Sequence, residues 1–343
     1  MPPIYQKPGL TLAKGAANDP ALVKALQRDL RALGYIAGGI DGKFESGTER
    51  AVRCLQHDLI NGAEDTPGKA PVSVKDYNRT TTGAPAVTRT TGVVDQAMVG
   101  CIAAMLDDTR FEKVPQSANP ARENQAAIEA IRAAPQGDVP TPFILAICRQ
   151  ESNLQHYRTS GDDNFVTVGL DRNGANPDVI TSRGFGMGQF TIFYHPPSRA
   201  DVDGFILNPL GNVAMAYREL KEKFDKFVIG GTSGTRADDR IAEHGPAPLR
   251  VCTYAKGDPK YLTDCKACAT AAGKRSITAT TTFHANTQSC YTEDLGYKFS
   301  DTAAGVPDRA NFPCDWPYAA RRYNGSGNLS YHYQARVLMN LLK

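Results

Sequence analysis

No apolar run in the 343-residue sequence is long enough to cross a bilayer, and its start, MPPIYQKPGLTLAKG, lacks the apolar middle of a secretory signal. A transmembrane segment is therefore not expected, and by sequence the chain is made in the cytoplasm without a recognisable signal peptide. There is no Lys/Arg-rich run, and a formal net charge of +3 is too small to argue for a nucleic-acid partner. Gly184, Gly186 and Gly188 do not follow the GxGxxG spacing, which disfavours a nucleotide cradle. The six histidines are scattered without an HExxH, which disfavours a zinc peptidase. No cofactor and no metal are expected. Cysteine, by contrast, is plentiful for a reducing compartment. The eight are Cys54, Cys101, Cys148, Cys252, Cys265, Cys268, Cys290 and Cys314, and they point to work outside the cytoplasm, in the periplasm or cell wall.

The length suits about two domains, and hydrophobic and charged fractions of 41% and 22% are ordinary for a soluble globular chain. Leu22, Leu26, Leu30 and Leu33 share a helical face that ends at Gly34. Thr48 is placed to cap a second helix carrying Ala51, Val52, Leu55 and Leu59. Asp95 is placed to cap a third with Met98, Cys101, Ile102 and Met105. Residues 62–91 read as a surface insertion and 109–118 as a polar, proline-punctuated linker. Cys54 and Cys101 face the small core, as a disulfide or as two buried thiols. Helical period recurs over 122–134, from Val213 to Phe224, from Asp315 to Tyr323 and from Tyr331 to Leu342. A short hairpin is expected around Phe165 to Leu170, and 242–312 reads as an irregular insertion that is either cross-linked or, through Cys252, Cys265, Cys268 and Cys290, zinc-binding.

The segment TPFILAICRQES, residues 141–152, puts Phe143, Ile144, Ile147 and Cys148 on one helix face and delivers Glu151 to its end. Thr141 is the expected N-cap and Pro142 the first helical residue. Glu151 there is either a half-buried carboxyl whose pKa is raised, as a general acid working near neutral pH needs, or a helix-end glutamate on the surface. Asp162, Asp163 and Asp171 follow in a loop that either returns to a cleft as a second carboxylate or is a solvated turn. Tyr194, His195 and Pro196 either shape that cleft or serve packing.

The stretches VKALQRDLRALGY, DGKFESGTERAVRCLQ and TGVVDQAMVGCIAAML resemble the three-helix peptidoglycan-binding domain of wall-directed enzymes, with Glu45 in place of a usual glycine and Leu55 in place of a usual aromatic residue. Further on, ICRQES, GFGMGQFT and RRYNGSG, in that order, resemble the catalytic domain of lytic transglycosylases, which is lysozyme-like and akin to goose-type lysozymes. Gly188 takes the place of a usual methionine, and the late turn reads YNGSG rather than YNAG. The resemblance implies a mostly α chain: a three-helix peptidoglycan-binding domain over 19–108 and a mainly helical α+β lysozyme-like domain over 119–343. It implies Glu151 as the catalytic acid, and Ser152, Gly186, Met187, Gly188, Gln189, Tyr323 and Asn324 as substrate-binding residues. The implied activity is cleavage of the MurNAc–GlcNAc linkage of peptidoglycan glycan strands, either to 1,6-anhydro ends or by hydrolysis with one of the three aspartates. A silent wall-binding protein is the reading from another class. A wall-lytic chain without a signal also fits an injected antibacterial effector, such as type VI secretion cargo with a periplasmic immunity protein as partner, or a phage endolysin.

Overall fold

The computed structural model describes residues 3–63, 69–78, 86–229, 250–265, 313–324, 328–341 and 343. The chain forms two compact units, residues 1–127 with 155–212, and residues 128–154 with 213–343. The described residues are mainly helical, with a small three-stranded sheet.

In the first unit, α1 (Pro20–Ala32) begins where the Asp19 side chain accepts from the Ala21 N–H, with Pro20 at the first helical position. The helix α2 (Ser46–Asn61) starts after Glu45, three residues earlier than a Thr48 cap requires. Thr48 is instead buried, donating to the Lys43 carbonyl and accepting from Gln27, because the 41–43 turn offers its hydroxyl better partners. The helix α3 (Gln96–Asp107) is capped as expected, Asp95 accepting from the Met98 N–H at 3.0 Å. Leu26, Leu30, Val52, Leu55, Met98, Ile102 and Met105 are fully buried and make one core.

The expected insertion at 62–91 is partly core. Val72, Val74 and Val87 are buried in the same cluster, and the Asn78 side chain ties down the backbone of Val87. Residues 64–68 and 79–85 lie outside the described residues. The expected linker is packed as well. Phe111 and Val114 are buried, and the Val114 N–H donates to the Ala32 carbonyl at 2.8 Å, so two apolar anchors in a polar stretch decide its course. The Cys54–Cys101 disulfide is not formed. Both are buried free thiols, and burial pushes both pKa values up, that of Cys101 to about 11.

Residues 155–212 complete this unit. Strands β1 (Val168–Arg172), β2 (Ile180–Phe185) and β3 (Phe190–Ile192) form an antiparallel sheet in that order, with a bulge between Asp171 and Arg172. Phe165, the expected start of the hairpin, makes only an isolated bridge with Gln116. Buried polar contacts join the sheet segment to the helices. The Arg183 guanidinium lies over the Tyr35 ring at 4.9 Å and donates to the Gly34 carbonyl at 3.2 Å. Asp58 accepts from both the Tyr35 hydroxyl, at 2.8 Å, and Arg183, at 3.3 Å. His195 is packed edge-on against Tyr35 and Phe111, so of its two sequence readings packing is the one observed. Partway down α2, Arg53 pairs with Asp178.

The unit boundaries fall within α4 (Pro120–Ala133) and α7 (Pro209–Lys223), and a three-residue turn, α6 (Arg199–Asp201), precedes the latter. In the second unit, α5 (Thr141–Ser152) buries Phe143, Ile144, Ile147 and Cys148. Its first residue is Thr141, whose hydroxyl accepts from Tyr217 instead of capping. The helix α8 (Trp316–Tyr323) is anchored by Trp316, which stacks on Phe224 at 4.1 Å and donates to the Val251 carbonyl. The helix α9 (Asn328–Leu341) buries Val337, Leu338 and Leu341. Gln334 ties α9 to Pro317 of α8, and Asn340 ties it to Ala146 of α5. Residues 250–265 run without helix or strand, and Cys268 and Cys290 lie outside the described residues.

Candidate functional site

Glu151 stands in the last turn of α5, which stops because Asn153 takes the left-handed conformation, φ 54°. The apolar face of α5 is buried up to Cys148, but Glu151 projects past it and is exposed rather than half-buried. One carboxylate oxygen is fixed: the Tyr333 hydroxyl of α9 donates to Glu151 Oε1 at 2.6 Å, a short bond of the charge-assisted kind. Tyr333 is buried, and burial first and Glu151 second push its own pKa far up, so it stays a donor. Its ring lies parallel to that of Tyr323, the last residue of α8, with centroids 6.0 Å apart. Tyr323 thus stands beside the Tyr333–Glu151 pair, and Asn324 is exposed just beyond it. Ser152 donates to the Cys148 carbonyl at 2.8 Å and so belongs to the helix end. Cys148 is a buried free thiol with its pKa pushed up to about 12 by burial and by Glu151, which makes it inert.

Sequence reasoning did not single out Tyr333. The signal was present in SYHYQ, since a tyrosine on the buried side of a helix needs a partner for its hydroxyl.

The other predicted residues belong to the first unit. Gly186, Met187, Gly188 and Gln189 are the turn between β2 and β3, closed by the pairing of Phe185 with Phe190. His156 and Asn212 shape it. The Met187 N–H donates to His156 Nδ1 at 3.3 Å, and His156 Nε2 bonds the Ile206 carbonyl at 2.8 Å, which requires the neutral ring with its proton on Nε2. Burial holds the His156 pKa down at about 4, consistent with that tautomer. Asn212 accepts from the Gly188 N–H and donates to the Phe185 carbonyl, both at 2.7 Å. Gly186 has φ 72°, and a Cβ there would meet His156 at 2.7 Å, so glycine is required twice over. Met187 is fully buried. Gln189 donates to the Gly186 carbonyl at 2.7 Å, and its side-chain oxygen fills the space left by the missing Cβ atoms of Gly169 and Gly184. Met187 and Gln189 therefore build the hairpin, and Gly186 and Gly188 are buried in it with their N–H groups given to the Thr167 carbonyl and to Asn212, so that of the four only Gln189 is partly exposed.

The three aspartates differ. Asp163 is fully buried between Arg31, at 2.9 Å, and Arg158, at 2.5 Å. That is the environment of a structural anchor, not of a base that holds a water. Asp162 is exposed, 3.8 Å from Lys24. Asp171, exposed on β1, accepts from the Ser182 hydroxyl at 2.7 Å.

Residues 19–59, which are α1, the Asp41 turn and most of α2, match the family described as "Putative peptidoglycan binding domain". The chain therefore carries a peptidoglycan-binding domain within its helical first unit. No curated protein and no solved structure gave a significant match. Among the described residues no helix is long and apolar enough to cross a membrane.

Proposed function

We propose that the chain is a muramidase that cuts the MurNAc–GlcNAc linkage of peptidoglycan, with Glu151 as general acid and then base. The observation that carries this is Glu151 itself: a carboxylate at the exposed end of an apolar helix, oriented by a buried tyrosine, in a chain with a peptidoglycan-binding domain. Its exposure leaves it within reach of a polymer. The Tyr333 bond holds one oxygen in place, so the carboxyl meets the substrate in a fixed pose, which is the geometric condition for general acid catalysis.

In the proposed reaction Glu151 protonates the leaving glycosidic oxygen as the C1–O bond breaks. The oxocarbenium-like centre is stabilised by the substrate's own acetamido oxygen. The Glu151 carboxylate then takes the proton of the muramyl C6 hydroxyl as that oxygen bonds to C1. The carboxyl is regenerated and a 1,6-anhydro end is formed, with no water consumed. Hydrolysis is the second reading and needs a carboxylate to hold a water. The burial of Asp163 between two arginines counts against one of its three candidates.

The test is release of soluble fragments from dye-labelled purified sacculi. Wild type is expected to release dye, and Glu151→Gln to do so about a hundredfold more slowly or worse, while sedimenting with sacculi as well as wild type does. Equal release by the two proteins would remove Glu151 from the chemistry. Binding without release by either would leave a wall-binding protein.

A further inference from the structure

The second unit holds a cavity of about 630 Å3 whose apolar lining includes Val139, Leu145, Leu154, Leu262 and Leu341. It opens on the side of α5 that carries Pro142, Leu145, Ala146 and Arg149, and by helical period Glu151 falls on the opposite face. Four cationic side chains surround it, Arg132, Arg149, Lys256 and Lys343, against the one carboxylate side chain of Asp138. None of the four has an ion-pair partner among the described residues.

The neutral polar side chains of the wall decide what kind of body fits between these charges. Thr141 accepts from the Tyr217 hydroxyl at 2.9 Å, Thr263 donates to the Pro259 carbonyl at 2.8 Å, and Asn340 donates to the Ala146 carbonyl at 3.3 Å. Among them only the Tyr261 hydroxyl makes no hydrogen bond to a described residue. A peptide entering the cavity brings amide groups that lose water and find few partners, at a cost of about 1–3 kcal/mol for each one left unpaired. A hydrocarbon chain brings none, and it gains from every apolar contact. The volume is that of a site for one small ligand.

We propose that this cavity binds a single-chain lipid anion, its hydrocarbon against Leu145, Leu154, Leu262 and Leu341 and its carboxylate or phosphate head among Arg132, Arg149, Lys256 and Lys343. The muramidase reading is not needed for this.

The test is calorimetric titration of the full chain with dodecanoate and with dodecyl phosphate, below the concentrations at which they form micelles. Dodecyl maltoside and dodecyltrimethylammonium serve as neutral and cationic chains, acetate as a head without a chain, and an acidic tripeptide as the rival occupant. Saturable binding of one molecule of either anion per chain is expected, at least about tenfold tighter than the neutral or cationic chains, with acetate and the tripeptide silent. The double variant Arg149→Glu, Lys256→Glu is expected to weaken both anions at least about tenfold and to leave the neutral chain unchanged. Leu145→Trp, which fills the apolar part, is expected to weaken all the chains. Arg149 and Lys256 both reach solvent, and the head-group series on wild type decides the matter without any variant. Equal affinity for the anionic, neutral and cationic chains, absence of saturable binding, or tighter binding of the tripeptide than of the anions would overturn the proposal.

Discussion

Asp163 and Glu151 show how differently two carboxylates of one chain are used. Asp163 has no exposed side-chain surface and faces two guanidinium groups, and removing a partner from such a cluster leaves buried charge uncompensated. Asp163→Ala is expected to lower the unfolding free energy by about 3–5 kcal/mol in urea titration, whereas Asp162→Ala changes it by less than about 0.5 kcal/mol. A stable Asp163→Ala protein that had lost only activity would restore Asp163 as a water-holding base. At Glu151 the informative change is Tyr333→Phe, which keeps the ring beside Tyr323 and removes the donor. The lost hydrogen bond favoured the carboxylate, so its removal lets Glu151 keep its proton to higher pH. If Glu151 is the acid, the alkaline limb of the activity profile moves up. A limb that stays in place or moves down would show that the Tyr333 bond does not set the acid's protonation.

The β2–β3 hairpin is the element whose stability depends most visibly on protonation. Burial holds His156 near 4 against its ordinary 6.5, and His195 is likewise pushed well below 6.5 by burial and by Arg183. Between about pH 6.5 and 4 the unfolded chain therefore binds protons that the folded chain refuses, and stability falls as pH drops through that window. The His156 shift from 6.5 to about 4 alone corresponds to roughly 3 kcal/mol, present in full above pH 6.5. Urea unfolding at pH 7 and at pH 4.5 is expected to show this loss, and His156→Gln to shrink it while lowering stability at pH 7. An unchanged pH slope in the variant would show that the ring titrates normally. The helices were legible because the apolar period holds along α1, α3 and α5, and along α3 the cap agrees with it: their apolar positions are the observed core positions. What was not legible depends on residues distant in sequence. Thr48 and Thr141 carry the signature of caps, but Lys43 and Tyr217 engage their hydroxyls elsewhere. Gln189 reads in the sequence as a substrate ligand, and the room that Gly169 and Gly184 make for it in the sheet shows only once the strands are paired.

At the scale of the molecule, a polar and proline-rich stretch reads as a linker, but two buried residues, Phe111 and Val114, are enough to anchor it. Residues 155–212 join the helices of the peptidoglycan-binding domain in one compact unit through the Arg31–Asp163, Asp58–Arg183 and Arg53–Asp178 pairs. A truncation that removes residues 1–110 deletes Arg31, Tyr35, Arg53 and Asp58 and leaves Asp163 and Arg183 without those partners. The remaining chain is therefore expected to lack a cooperative thermal transition. A sharp transition near that of the full chain would show that the later residues fold alone. The central claim, that Glu151 drives cleavage of the glycan without water, is tested most directly by mass spectrometry of the soluble muropeptides released from purified sacculi by wild type and by Glu151→Gln. Products one water lighter than reducing muropeptides, present with wild type and absent with the variant, are the predicted result. Reducing ends from wild type, or anhydro products from both proteins, would contradict it.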